Sequence, residues 1–418
     1  MNERLIVRGG SVFDPLSGSA STADVAIEGQ RIVDVGLGID GDYEIDAAGC
    51  LVVPGFIDCH VHVTLDEINV LRLIEEPFSL RFFRAARNLS RTLRAGVTTV
   101  RDAAGADLGV KRAISSGLIS GPDMQIAIGI ISQTGGHADE WMASGGCVHA
   151  LWPSHPGTPA TTVADGVDEV RRTVRELVRA GADVIKVATS GGVTSPRSDP
   201  RMAHFRDDEL DALLTETSAA GLSVMAHAQG TAGIKNAVRA GVRSIEHGVY
   251  LDEEAVEMMA ARGTWLVPTL SAPDALLRQA RHSTTLTEAT REKITDVLEA
   301  HLASVQLARD AGVMIAMGTD AGIAPHGQNL RELELLCETG LTPTESLRAA
   351  TSSAARLLGA ADEIGEVAAG KLANLVLLQG TEISVQDLAS RVHTVIHRGT
   401  VIVGSTDSGC VRLQRNPD

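Results

Sequence analysis

Eight short apolar runs alternate with amphipathic segments along the middle of the chain, and no other feature of the sequence limits its possible folds as strongly. The runs are GFIDCHVHV, VTTVRDAAG, MQIAIGIIS, DVIKVATSGG, LSVMAHAQG, RSIEHGV, TWLVPTL and VMIAMGTDAG. Segments such as VDEVRRTVRELVRAG lie between them, with apolar residues at helical spacing and a glycine at the end. Strand and helix signals that alternate in this way are typical of a parallel sheet. The sequence therefore predicts an α/β fold, a (β/α)8 TIM barrel.

The two ends of the chain have a different pattern. Both contain short β-type runs separated by glycine and aspartate turns, without a helical period. We expect these ends to meet as a small composite β-sandwich domain of residues 1–54 plus 366–418, with the barrel formed by residues 55–365. The segment 284–312 is predicted to form one or two long helices, and no chemical role is evident for its residues.

Charge and cysteine content exclude several classes of protein. The formal net charge of −16, without a basic cluster, argues against nucleic-acid binding. No apolar run approaches the ~18 residues of a membrane span, and the first residues have no signal-peptide core. The five cysteines are widely spread and have no CxxC spacing, which fits a reducing compartment rather than a disulfide framework. We expect a cytoplasmic enzyme with a small-molecule substrate and no membrane or nucleic-acid partner; homo-oligomerisation stays open.

Polar side chains stand at the carboxyl ends of the apolar runs. The ends of strands are where TIM barrels place their active sites. Taken singly, each has an ordinary explanation: a core histidine, a lysine at a strand edge or an aspartate that caps a helix. Together they provide nitrogen and oxygen ligands at separate strand ends of one inferred barrel, which predicts a metal site. The predicted ligands are His60, His62, Lys186, His227, His247 and Asp320.

Lys186 is the most informative of these residues. It lies between β-branched residues in DVIKVATSGG, where a buried, unpaired cation would be costly unless the lysine becomes neutral or finds a partner. A neutral lysine can take up CO2 as a carbamate, an anionic and bidentate ligand. Two divalent metal ions would stabilise such a group.

The motifs PGFIDCHVH, DVIKVATSGG, AHAQG, IEHG and GTDAG, in this order, resemble the amidohydrolase superfamily, in its imidazolonepropionase-like and Xaa-Pro or Xaa-Arg dipeptidase-like branch. The resemblance implies that His60, His62 and Asp320 ligate one metal ion. It also implies that a carbamate on Lys186 bridges to a second ion, which His227 and His247 hold. Nitrogen and oxygen ligands favour two Zn²⁺ ions, with Mn²⁺ and Co²⁺ as alternatives.

This resemblance implies a metal-dependent amidohydrolase that cleaves an amide bond in a small molecule, a dipeptide or N-acyl amino acid, in the manner of a prolidase or carboxypeptidase. A hydroxide shared by the two metals would attack, and Asp320 would serve as general base and then acid. Cyclic amides, carbamates and ochratoxin-type aromatic amides are alternative substrates. A mononuclear deaminase or imidazolone hydrolase is an alternative activity, and a non-catalytic barrel scaffold is a third hypothesis.

Candidate substrate-binding residues follow several of the runs. His137 follows the third run in the long segment 132–165, and a similar element in related proteins reaches the active site, so it is also a candidate catalytic residue. Gln229 stands where many similar dipeptidases have tyrosine, which weighs against Xaa-Pro specificity. Further candidates are Tyr250, His326 and Arg197, with Arg201 as a second arginine for a substrate carboxylate.

Overall fold

The computed structural model of the protein describes residues 3–66, 70–142, 145, 150–192, 198–282, 288–404 and 414–415. The strands in chain order are β1 Arg4–Asp14, β2 Ser19–Glu28, β3 Arg31–Gly36, β4 Tyr43–Asp46, β5 Cys50–Pro54, β6 Phe56–Val61, β7 Val97–Asp102, β8 Asp123–Ile126, β9 Ile130–Ile131, β10 Ile185–Ala188, β11 Val224–Ala228, β12 Ser244–His247, β13 Trp265–Val267, β14 Leu375–Gln379, β15 Val392–His397, β16 Thr400–Val403 and β17 Gln414–Arg415.

The helices lie mostly between the parallel strands. They are α1 Val70–Glu75, α2 Leu80–Arg94, α3 Leu108–Ser115, α4 Gly166–Ala180, α5 Asp207–Ala219, α6 Thr231–Ala240, α7 Glu253–Arg262, α8 Ser271–His282, α9 Glu288–Asp310, α10 Arg331–Glu338, α11 Pro343–Ala349, α12 Ser352–Leu357 and α13 Leu388–Arg391. Among these helices, none is long and apolar enough to cross a membrane.

Helix α4 shows why the sequence folds locally as it does. Its buried residues Val170, Val174 and Leu177 recur at helical spacing, so one face packs on the sheet. The helix ends at Gly181, whose φ of 95° is left-handed and favours glycine. Helices α6 and α7 end in the same way at Gly241 and Gly263.

Strands from the two ends of the chain form one nine-stranded sheet, with β5 and β14 antiparallel at the junction. Successive residues of β5 point to opposite faces. Leu51 and Val53 join the main hydrophobic core, whereas Cys50 and Val52 join a second core between the terminal segments. The two ends therefore meet as expected. The strands pair as a single sheet, so the sandwich arrangement and the domain boundaries at 54 and 366 stay predictions.

The parallel strands form two sheets, β6-β7-β8 and β9-β10-β11-β12-β13. The third predicted run is divided into β8 and β9 around Ile128, whose φ is 69°. The eighth predicted run, residues 313–322, is not assigned as a strand. Its backbone nevertheless bonds to both neighbouring strands: the Leu266 N–H donates to Met314 O at 2.9 Å and the Asp320 N–H donates to His60 O at 2.8 Å. The described sheets do not by themselves show a closed barrel.

Candidate metal centre

His60, His62 and Asp320 bring potential ligand atoms within 4.8 Å of one another in the buried interior. His60 lies near the end of β6 and His62 just beyond it, so the two-residue spacing turns both rings to the same side. Oδ1 of Asp320 lies 3.2 Å from His62 Nε2 and 3.6 Å from His60 Nε2. The HxH pair and the distant aspartate therefore converge as the sequence predicted.

The outer nitrogens of both rings are held by acceptors. His60 Nδ1 lies 2.7 Å from the Glu246 carboxylate, and His62 Nδ1 lies 3.0 Å from the Ala104 carbonyl. Because both partners accept, we assign the single proton of each neutral ring to Nδ1. Each Nε2 then offers a lone pair towards Asp320.

The facing atoms have no proton to share. Asp320 Oδ1 has no hydrogen-bond partner in the described part of the chain. Burial opposes ionisation of Asp320, but the charge of the nearby Lys186 favours the carboxylate, and the net effect lowers the pKa of Asp320 below the ordinary value. A carboxylate and two imidazole lone pairs directed at one another repel, and a divalent cation would remove this repulsion.

Lys186 lies in the middle of β10, with only 1% of its surface exposed. Its Nζ has no hydrogen-bond partner among the described residues. Burial lowers the pKa of Lys186 to about 8, so about a tenth of the amine is neutral at pH 7, far more than of an exposed lysine. A buried, neutral and unpaired amine fits the requirement for carbamate formation.

His227 and His247 complete the cluster on neighbouring strands β11 and β12. The His247 ring centroid lies 4.7 Å from that of His227 and 5.0 Å from that of His60. Nε2 of His227 donates to the Gly191 carbonyl at 3.0 Å, which leaves its Nδ1 free to bind a metal. Burial lowers the pKa of all three rings well below the usual value, so they are neutral and able to act as ligands.

Two of these residues have a strained backbone. The φ angles of His247 and Asp320 are 72° and 55°, in the left-handed region that non-glycine residues rarely adopt. Thr269, whose Oγ1 lies 2.7 Å from His247 Nδ1, has a φ of 57°. Such conformations cost about 1 to 3 kcal/mol each and cluster at functional sites. The donor set, the unpaired polar atoms and the strain all fit a metal centre.

His137 reaches the same cavity from the loop after β9. Its ring stacks on His227 with centroids 3.9 Å apart and planes at 9°. Burial lowers its pKa to about 4, and its Nδ1 has no partner among the described residues. Gly192 makes this position possible, because a Cβ there would lie 2.3 Å from the His137 ring.

The other predicted substrate-binding residues lie in different places. Gln229 lines the cavity. Tyr250 is half-buried and lies under the Arg201 guanidinium, 5.0 Å from the ring centroid to Cζ, and neither residue lines the described cavity. Nε2 of His326 lies 3.2 Å from the carbonyls of His62 and Leu65, so this ring connects the two ends of the loop after β6. Arg197 lies outside the described residues.

Three kinds of residue at this site were not predicted from the sequence. Arg101 and Glu246 are buried behind His60. Trp152 lies with its ring centroid 4.7 Å from that of His62. His301, on helix α9 of the segment predicted to lack chemistry, lines the cavity and donates from Nε2 to the His247 carbonyl at 2.7 Å. The signal for Arg101 was present, because a charge inside VTTVRDAAG raises the same burial problem as Lys186.

The cavity over the cluster has a volume of about 520 Å³. His60, His62, Lys186 and Asp320 contribute to its lining, and the rest of the lining is largely apolar. The apolar wall residues include Leu65, Trp141, Trp152, Val249, Leu276 and Val297. This volume suits a small molecule with at least one bulky apolar group.

Comparison with known proteins gives consistent matches along the chain. The Amidohydrolase family matches residues 51–411. Ochratoxinase from Aspergillus niger is 36% identical over 341 residues, which cover 79% of this chain and 70% of the ochratoxinase. The crystal structure of A. niger ochratoxinase aligns with a TM-score of 0.84 at 31% identity and covers 100% of this chain and 99% of that one.

Two further solved structures have the same fold. A prolidase complexed with N-methylphosphonate-L-proline aligns with a TM-score of 0.86 at 34% identity. A Xaa-Pro dipeptidase with methionine bound in the active site aligns with a TM-score of 0.86 at 31% identity. Each alignment covers 96% of this chain and 100% of the solved chain.

Proposed function

This chain belongs to the amidohydrolase family, and from that premise we propose that it uses two divalent metal ions to hydrolyse an amide bond in a dipeptide or N-acyl amino acid. The family resemblance expected from the sequence motifs is confirmed. One observation carries the proposal: His60, His62 and Asp320 converge in a buried cavity that also contains the unpaired amine of Lys186.

The two parallel sheets belong, in this proposal, to one (β/α)8 barrel. Residues 314–320 support it, because their backbone bonds to β13 on one side and β6 on the other. Such an arrangement would place the proposed histidine and aspartate ligands at or near the carboxyl ends of the barrel strands, where TIM barrels have their active sites, with Lys186 one turn of the pleat deeper.

The ligands divide into two groups. His60, His62 and Asp320 would hold one ion, and His227 and His247 the other, with a carbamate on Lys186 between them. When bound, two divalent ions lower the pKa of water, which supplies a nucleophile, and polarise the carbonyl of the substrate. Zn²⁺ suits these nitrogen and oxygen donors.

The protein's own groups move the proton and position the substrate. Asp320 is a carboxylate with an unpaired oxygen, so it accepts the proton of the attacking water and returns it to the leaving nitrogen. His137 lines the cavity, where its ring would donate a hydrogen bond to the carbonyl oxygen of the scissile amide. The apolar walls exclude water from the reacting bond.

A second substrate class has a specific observation in its favour. Trp152 packs against the ligand His62, so an aromatic surface borders the reacting centre. An aromatic amide of the ochratoxin type would stack on that surface, and a similar protein is named ochratoxinase. The mononuclear deaminase or imidazolone hydrolase is disfavoured by Lys186, because one metal ion would leave that buried amine without a ligand role.

Metal content and hydrolysis test the proposal together. Wild type, Lys186→Ala and the control Lys111→Ala are prepared with bicarbonate and zinc, analysed for metal per chain, and assayed with Xaa-Pro dipeptides, N-acyl amino acids and aromatic amides. Lys111 is the control because it is half-buried, pairs with Asp183 and does not line the cavity. Two metal ions in wild type and Lys111→Ala, with loss of metal and activity in Lys186→Ala, are expected. One ion in all three proteins would contradict the binuclear centre.

A further inference from the structure

Arg101 and Glu246 are two oppositely charged residues buried directly behind His60. Arg101 lies on β7 and is 1% exposed, and Glu246 lies on β12 and is 0% exposed. Removing two charges from water is costly unless the pair has good geometry and its remaining polar atoms are bonded. A single apolar pair would fill the same space without that cost, so the presence of charges here needs an explanation.

The hydrogen bonds of Glu246 divide between its two oxygens. Oε1 accepts from Arg101 Nη2 at 3.0 Å and from Ser244 Oγ at 2.5 Å. Oε2 accepts from His60 Nδ1 at 2.7 Å. Arg101 also donates from Nε to the Cys59 carbonyl at 2.7 Å. Arg101 therefore joins the carboxylate to the backbone of β6 at the residue before His60.

We infer that Arg101 and Glu246 are positioning residues that fix the proton of His60 on Nδ1 and direct its Nε2 lone pair at the metal. The inference rests on the proposed metal centre. A neutral imidazole has one ring proton, and the nitrogen that carries it cannot bind a metal. Arg101 and Ser244 hold Oε1, which leaves Oε2 directed at His60. Because Arg101 also hydrogen-bonds to β6, the strand that carries His60, the Glu246 carboxylate holds the His60 ring in a fixed orientation relative to the β6 backbone.

Glu246→Gln tests this arrangement with almost no change in volume. The amide has one acceptor oxygen, and the two donors Arg101 and Ser244 would attract it. The amide NH2 would then face His60 Nδ1 and favour the tautomer with its proton on Nε2. We expect zinc affinity, measured by competition with a chelator, to fall about 10- to 100-fold, the effect typical of losing a residue that orients a metal ligand.

Glu332→Gln is the matched control. Glu332 is also 0% exposed and accepts three hydrogen bonds, from the backbone N–H groups of Leu270 and Ser271 and from the Ser271 hydroxyl. Its partners lie at the start of α8, and it does not contact the proposed ligands. We expect a lower melting temperature with wild-type zinc affinity. Equal loss of affinity in both variants, or none in Glu246→Gln, would overturn the inference.

A double variant keeps the test decisive if Glu246→Gln does not fold. Arg101→Met combined with Glu246→Leu removes both charges, and such replacements of buried ion pairs are often neutral in stability. The variant should therefore fold without metal. Because His60 then has no carboxylate acceptor for Nδ1, we expect the variant to bind zinc about 10- to 100-fold more weakly. Wild-type affinity in this variant would overturn the inference. A wild-type protein that binds no zinc would instead contradict the proposed function.

Discussion

Oδ1 of Asp320 and Nε2 of His62 face each other across 3.2 Å with no proton assigned between them. They are far apart in the sequence and meet because the Asp320 N–H donates to the carbonyl of His60. The left-handed backbone of Asp320 then turns its carboxylate towards both imidazole rings. A bound cation would relieve the electrostatic repulsion at this contact between Asp320 and the two imidazole rings.

Asp320→Asn should lower kcat by a factor of about 10² to 10⁴, because the amide cannot accept the transferred proton. Asparagine tolerates a φ of 55° better than most residues, so the fold should be retained. The measurement is kcat together with metal content and the melting temperature. Asp387→Asn is the control, since Asp387 has a φ of 50° and is exposed. Full activity in Asp320→Asn would contradict its proposed role in proton transfer.

Incorporation of CO2 at Lys186 should rise with pH through about 8, the pKa of its amine. Only the neutral amine reacts, and at pH 7 about a tenth of a lysine with this pKa is neutral. The measurement is the carbamate signal from ¹³C-bicarbonate during zinc loading at several pH values. Lys186→Met should give no pH-dependent signal, and a signal of equal size in that variant would place the carbamate elsewhere.

The metal-free protein should become more stable as pH rises from about 8 to 10.5. Between these values the unfolded lysine, with the ordinary pKa of 10.5, holds a proton that folded Lys186 has lost. The unfolded state therefore binds more protons, and the free energy of unfolding increases with pH, by a total on the order of 3 kcal/mol. Urea unfolding at several pH values tests this. In Lys186→Met the same rise should be absent.

Gly192→Ala should displace His137 without removing metal. A Cβ at this position would lie 2.3 Å from two atoms of the His137 ring, so the ring must leave its stack on His227. We expect kcat/KM to fall at least tenfold, about 1.4 kcal/mol, while zinc content is unchanged. Gly36→Ala is the control, because its Cβ would make an ordinary contact of 3.8 Å with Ile39. Unchanged kcat/KM would remove His137 from the mechanism.

Trp152→Leu should separate the two candidate substrate classes. Loss of the aromatic surface beside His62 should lower kcat/KM for aromatic amides about 5- to 30-fold, equivalent to 1 to 2 kcal/mol, with a smaller effect on alanyl dipeptides. Trp141→Leu serves for comparison, since Trp141 lines the cavity but is 47% exposed. An equal loss for every substrate would mean that Trp152 only supports the loop.

The candidate ligands could be named from the sequence because each stands in or just after one of the apolar runs, which together predict one sheet. The two-residue spacing of His60 and His62 sets their common side, and the position of Lys186 inside an apolar run makes its burial evident. Glu246 and Arg101 were missed because their roles depend on contacts among β6, β7 and β12, which no local period encodes. The position of His301 depends likewise on how α9 packs over the end of β12.

The strand assignment failed where tertiary contacts override local preference. Ile128 divides the third run, and residues 313–322 bond to two strands without forming one themselves. Residues 313–317 are as apolar as the assigned strands, so composition could not have distinguished them. The positions of loop residues such as Tyr250 and His326 depend on the path of the loop backbone, which the spacing of apolar residues does not define.

The pairing of β5 with β14 has a consequence for how the chain folds during synthesis. Val52 pairs with Leu377 although the whole metal-binding segment lies between them. Contacts so distant in sequence form slowly, and domains that depend on them complete late. On the ribosome, β5 emerges early and keeps an apolar edge open until β14 follows. The terminal sheet therefore stays incomplete until β14 has been synthesised, and until then the edge of β5 is open to pairing with another chain.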